Sequence, residues 1–125
     1  MPGGPILLVE DEADIQLTVR LTLEMSGYVV VAVASAEDAL EALDRITPSV
    51  VLLDISLPGM DGWTFLSTLK ADGRLDALRV VVVSAHVSEE ASRKADAFGA
   101  QYLTKPFDVQ MLRSLIAKII GDSGS

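Results

Sequence analysis

Val50-Val51-Leu52-Leu53-Asp54-Ile55-Ser56-Leu57-Pro58-Gly59-Met60-Asp61-Gly62 is the stretch on which the fold turns. It opens with an unbroken apolar run rather than an alternating one, the pattern of a strand buried on both faces of a parallel sheet. A carboxylate closes the run. Pro58, Gly59 and Gly62 then punctuate a turn, and Asp61 stands where a helix cap belongs. An amphipathic segment at 62–71 follows, with Gly73 behind it. This is one strand–helix unit, with an acid placed at the carboxyl end of its strand.

The same unit recurs on both sides. Ile6-Leu7-Leu8-Val9 and Val80 to Val83 are continuous apolar runs like the central one; Tyr28 to Val33 and a brief run at Tyr102-Leu103 complete a set of five. Helix-length segments lie between and after them. The first covers 13–25 and stops at Gly27. Ser35 caps 36–46, with Pro48 beyond; Ser88 caps a fourth helix through Phe98, ended by Gly99; Asp108 opens a fifth to about Ile120, before Gly121. Strands alternating with helices in this way predict an α/β domain with a five-stranded parallel sheet and helices on both faces, because each crossover is right-handed. The domain is expected over 5–120, with 1–4 and 121–125 as flexible termini.

Composition narrows the function. The 125 residues carry a formal charge of −8, which argues against direct nucleic-acid binding. Cysteine is absent and there is one histidine, so disulfides, thiol catalysis and His-rich metal sites are excluded or disfavoured. No apolar run approaches a membrane span and the start lacks a signal-peptide pattern, so no membrane association is expected and the cytoplasm is the expected location.

Chemistry in such sheets gathers at the carboxyl ends of the strands. There the sequence places Glu10-Asp11-Glu12, Asp54-Ile55-Ser56, Ser84-Ala85-His86 and Thr104-Lys105-Pro106. With sheet order 2-1-3-4-5, strands one and three are neighbours, and Glu10, Asp11 and Asp54 converge. Close carboxylates repel by about 1 to 4 kcal/mol per pair at surface-like dielectric. A hard divalent cation offsets this, and Mg2+ prefers such oxygen ligands. Lys105 adds a positive charge for Asp54 or for a phosphoryl oxygen, and Ser84 adds a hydroxyl. A carboxylate nucleophile in this company suits acceptance of a phosphoryl group.

The chain resembles the receiver domains of bacterial two-component response regulators, chemotaxis-type and flavodoxin-like in fold. The resemblance rests on Glu10-Asp11, Val51-Leu52-Leu53-Asp54, Leu57-Pro58-Gly59-Met60-Asp61-Gly62, Val82-Val83-Ser84-Ala85 and Tyr102-Leu103-Thr104-Lys105-Pro106-Phe107. It implies Asp54 as phosphoacceptor, served by a sensor histidine kinase or histidine phosphotransferase. It implies Mg2+ held by Asp11, Asp54 and the Ser56 backbone carbonyl, with Glu10 acting mainly through water. Lys105 and Ser84 would bind the phosphoryl group, Ser84 and Tyr102 would switch with it, and Pro106 would follow a cis bond. The fourth helix, fifth strand and fifth helix would form the readout face and, on phosphorylation, a dimer contact.

Glu12 reads as a dipole partner of its helix and His86 as a surface histidine. On the first helix, Ile15, Val19, Leu23 and Ser26 mark the packing face. Leu17, Leu21 and Met25 form a second apolar stripe on the far side, a candidate surface for a helical partner. The competing classes are an aspartate-nucleophile Mg2+ phosphatase of haloacid dehalogenase type, a receiver that binds partners without phosphorylation, and a flavin binder. The first wants a second acid where Ser56 stands; the last wants a phosphate loop where Glu10-Asp11-Glu12 stands.

Overall fold

The computed structural model describes residues 4–85, 88–105 and 107–124. Its elements run β1 (Ile6–Val9), α1 (Ala13–Met25), β2 (Val30–Val33), α2 (Ala36–Leu43), β3 (Val50–Asp54), α3 (Gly62–Ala71), a short 3-10 turn (Leu75–Ala77), β4 (Val80–Ser84), α4 (Glu89–Ala97), β5 (Gln101–Thr104) and α5 (Val109–Gly124). The five strands are parallel, in the order β2-β1-β3-β4-β5.

Because side chains alternate along a strand, each continuous apolar run feeds two cores. Leu7, Val9 and Leu53 meet Ala39 of α2 and Phe65 and Leu69 of α3 on one face. Ile6, Leu8 and Leu52 meet Val19 and Leu23 of α1 and Leu112 and Ile116 of α5 on the other. β1, β3 and β4 are buried along their whole length, so the apolar interior closes around strand ends that emerge at one rim.

Helix starts follow the expected caps. Ser35, Asp61 and Ser88 accept hydrogen bonds from the backbone amides of Asp38, Thr64 and Ala91 at 3.0, 2.8 and 3.0 Å, a contribution of about 1 kcal/mol each. Some expected boundaries and faces shift. β2 begins at Val30 rather than Tyr28, as a half-buried edge strand. α2 ends at Leu43 rather than at 46, because Asp44-Arg45-Ile46 winds into the turn that leads to Pro48, with the Arg45 and Ile46 amides both donating to the Ala42 carbonyl. Ser26 is exposed and serves as the C-cap of α1, not as part of its packing face. Gly121 does not stop α5, which continues to Gly124. Gly27, Gly73 and Gly99 end their helices with φ of 96°, 75° and 73°; Gly121 does not take that conformation.

α4 is anchored least. Ala95 is its one buried side chain. Next to it, Phe98 stacks on Trp63 of α3 with ring centroids 6.2 Å apart, while Lys94 sits 5.5 Å from the Trp63 ring centre and Lys70 5.8 Å from that of Phe98. An aromatic pair contributes about 0.5–1.5 kcal/mol beyond its burial. Phe98→Ala is therefore expected to speed hydrogen exchange of the Glu89–Ala97 amides about tenfold, with the β1 and β3 amides unchanged; mass-resolved exchange checks this.

Candidate functional site

The register of the sheet builds the site. Val9 pairs with Leu53, so Glu10 and Asp54 leave the sheet side by side; Asp54 pairs with Val83, and Ser84 with Thr104. Lys105 follows Thr104, its amide donating to the Ser84 carbonyl at 2.8 Å. Sequence-distant groups thus arrive at one rim. Glu10, Asp54 and Ser84 are only 3%, 4% and 3% exposed, whereas Asp11 faces solvent.

The turn after β3 fixes Asp54 from the other side. The Ser56 amide donates to Asp54 Oδ1 at 2.9 Å. The Gly62 amide donates to the Ile55 carbonyl at 3.0 Å. A Cβ on Gly62 would come within 2.8 Å of Ile55 Cα and 3.1 Å of the Asp54 carbonyl oxygen, so only glycine lets α3 start this close to the strand end.

Lys105 Nζ lies 2.9 Å from Asp54 Oδ2 and 3.0 Å from Glu10 Oε1. The second Glu10 oxygen accepts the Glu12 amide at 3.2 Å. Burial pushes the Glu10 carboxyl above its ordinary range, against the opposing pull of Lys105. Burial also weakens the charge on Lys105, but its hydrogen bonds to Asp54 and Glu10 outweigh this and raise its pKa. The ammonium is firmly charged and shared by two carboxylates, which the sequence alone had paired only with Asp54 or a phosphoryl oxygen.

Glu10, Asp11 and Asp54 each offer an oxygen within 4.8 Å of the others. The donors are all oxygen, one carboxylate is open to solvent, and three negative charges meet one ammonium, so the set suits a hard, hydrated cation such as Mg2+. The Asp11 carboxylate has no hydrogen-bond or ion-pair partner among the described residues.

Other expected residues lie where the strand order puts them. Tyr102 is half-buried in β5 and packs on the α2–α3 side of the sheet. Leu17, Leu21 and Met25 are exposed, the last at 87%. Pro106 and His86 lie outside the described residues. Gln16 was not singled out from the sequence. Its side-chain amide donates to the Glu10 and Val33 carbonyls at 2.9 and 3.1 Å. The available signal was a polar residue beside Ile15 on the sheet-facing side of α1.

Fold and pocket together define a class: doubly wound α/β domains with an acidic pocket at the ends of neighbouring strands, closed by a lysine from another. Within that class, the chain belongs to the response regulator receiver domain family, whose family model matches residues 6–117. It is 34% identical over 121 residues to the DNA-binding transcriptional regulator NtrC of Escherichia coli (strain K12), covering 96% of this chain but 25% of that protein. It is 28% identical to sporulation initiation phosphotransferase F of Bacillus subtilis (strain 168), covering 96% of each. A putative response regulator from Chloroflexus aurantiacus superposes with a TM-score of 0.86 at 29% identity, over 97% of this chain and 99% of the other. The chain thus spans about a quarter of the length of the NtrC-type relatives it matches.

The chain is a phosphorylation-dependent signal-relay domain. Receiver domains are signalling modules rather than enzymes; they use Mg2+ and accept phosphoryl groups from histidine kinases or phosphotransferases. The phosphatase alternative is not favoured: the residue two past Asp54 is Ser56, which gives that aspartate an amide rather than an acid. No helix among the described residues is long and apolar enough to cross a membrane.

Proposed function

We propose that Asp54 is the phosphoacceptor of this receiver unit, which spans 5–120, and that Glu10, Asp11, Asp54 and the Ser56 backbone carbonyl hold Mg2+ around it. The observation that carries this is the Lys105 ammonium 2.9 Å from Asp54 Oδ2, inside a cluster of three carboxylates. Mg2+, when bound, supplies charge neutralisation for the oxygens of the transferring group. A carboxylate oxygen of Asp54 attacks the phosphorus of a phosphohistidine, the new O–P bond replaces the donor's N–P bond, and the imidazole leaves. Lys105 then has a phosphoryl oxygen to hold in place of part of its Asp54 contact. Ser84 turns its hydroxyl toward the same group and Tyr102 follows, which biases two populations of one fold. The domain assists its own phosphorylation and dephosphorylation and turns over no separate substrate; the cytoplasm is its working compartment. The test is intact mass after acetyl phosphate and Mg2+, with an Asp54 variant beside the wild type.

The donor is a sensor histidine kinase or histidine phosphotransferase, and its helical bundle meets α1. Leu17 and Leu21 are 47% and 45% exposed on the helix that leaves the pocket. Charged residues there are expected to slow transfer from the phosphohistidine donor at least tenfold while leaving uptake from acetyl phosphate unchanged. Leu17→Glu and Leu21→Glu, compared with both phosphodonors, check this; equal rates with both would remove α1 from the contact. Phosphorylation also favours a dimer through α4, β5 and α5, read by sedimentation with and without acetyl phosphate.

A further inference from the structure

The Gln16 side chain ties the ends of β1 and β2 to α1, the helix that connects them. It sits half-buried in the first turn of α1, and its Nε2 lies 2.9 Å from the Glu10 carbonyl and 3.1 Å from that of Val33. Both partners can only accept, so the amide nitrogen, with its two N–H groups, must face them. The two carbonyls sit where the β1–β2 ladder runs out. Its last rung is the Glu10 amide donating to the Val33 carbonyl at 3.0 Å. Beyond it the chains diverge toward α1 and α2, and Gln16 supplies the next rung from outside the sheet.

The peptide so held is the one that joins Glu10 to Asp11. Glu10 has further restraints on its carboxylate, from Lys105 and the Glu12 amide. Asp11 has none among the described residues, so its aim toward Asp54 is set by the backbone alone. We propose that Gln16 is a positioning residue for the cation site: by fixing the Glu10–Asp11 peptide, it holds the Asp11 carboxylate within reach of Glu10 and Asp54. This rests on the assignment of Mg2+ to that cluster. Partners that orient metal ligands from behind change metal affinity by about 10- to 100-fold when lost.

The test is Mg2+ affinity by calorimetry on the full chain. Gln16→Met keeps size, neutrality and helix propensity but has no donor; Gln16→Ala is the second variant. Ile116→Val, in the core that α5 shares with α1, serves as a control for general loss of stability. Both Gln16 variants are expected to bind Mg2+ about tenfold more weakly, with faster exchange of the Glu12 amide, while Ile116→Val binds as the wild type does. Binding within twofold of the wild type by Gln16→Met, or equal weakening in Ile116→Val, would overturn the proposal. A wild type that binds no Mg2+ would remove the underlying assignment and the proposal with it, and shows itself before any variant is compared.

Discussion

Asp54→Asn is expected to abolish phosphoryl uptake. After acetyl phosphate and Mg2+, the wild-type chain is expected to gain about 80 Da, the mass of one phosphoryl group, and the variant to gain nothing. The reason is local. The amide is nearly isosteric with the carboxylate, so the side-chain oxygen can still accept the Ser56 amide, as Asp54 Oδ1 does at 2.9 Å. The other position becomes an NH2 facing the Lys105 ammonium, where Oδ2 now lies at 2.9 Å. Two donors then confront one another, and no anionic oxygen remains to attack phosphorus.

The loss is not a folding defect in disguise. Asparagine removes one of three clustered negative charges, so the repulsion among Glu10, Asp11 and residue 54 falls even as the Lys105 contact is lost. The variant is expected to melt close to the wild type. A mass gain that persists in Asp54→Asn would mean that Glu10 or Asp11 takes the group, and the assignment of roles in this pocket would have to be reversed.

The strands that could be read from sequence are those buried on both faces. β1, β3 and β4 are continuous because neither side of them meets water. β2 and β5 are edge strands with mixed exposure, so their ends blur; Tyr28-Val29 joins the apolar pattern without joining β2. Helix starts were legible through Ser35, Asp61 and Ser88, whose side chains do the capping. Helix ends depend on backbone conformation, which is why Gly99 stops a helix and Gly121 does not.

In the pocket, the carboxylates and Lys105 announce themselves by charge, because buried like charges need a counterweight that sequence can supply by type. That Lys105 bridges Glu10 as well as Asp54 follows only from the register that sets those two acids side by side. Gln16 is silent for a related reason. It contacts main-chain carbonyls, and nothing in the identity of Glu10 or Val33 encodes where their carbonyls point.

Lys105→Met separates the two cations this site can use. The ammonium is mostly buried, with its side chain 14% exposed, and it bridges carboxylates that are 4% and 5% exposed. Removing one partner of a buried ion pair costs about 3–5 kcal/mol. Glu10, whose pKa is already raised by burial, takes up part of that cost by protonating more readily. A loss of about 3 kcal/mol is thus expected without Mg2+, or about 10 °C in melting temperature for a domain of this size. The effect on Mg2+ runs the other way. With Lys105 the three carboxylates carry one internal counter-charge; without it they carry none, so the variant should bind Mg2+ more tightly and recover much of its lost stability when the ion is added. Uptake from acetyl phosphate should still slow, because a divalent ion among Glu10, Asp11 and Asp54 does not replace the Lys105 ammonium, which the proposed function assigns to hold a phosphoryl oxygen. Thermal unfolding of both chains with and without Mg2+, beside the mass assay, reads all three effects. A variant that melts above the wild type in the absence of Mg2+ would show that Lys105 does not balance these carboxylates. A larger Mg2+-induced shift in the wild type than in the variant would show that ammonium and metal ion do not compete for the same negative charge.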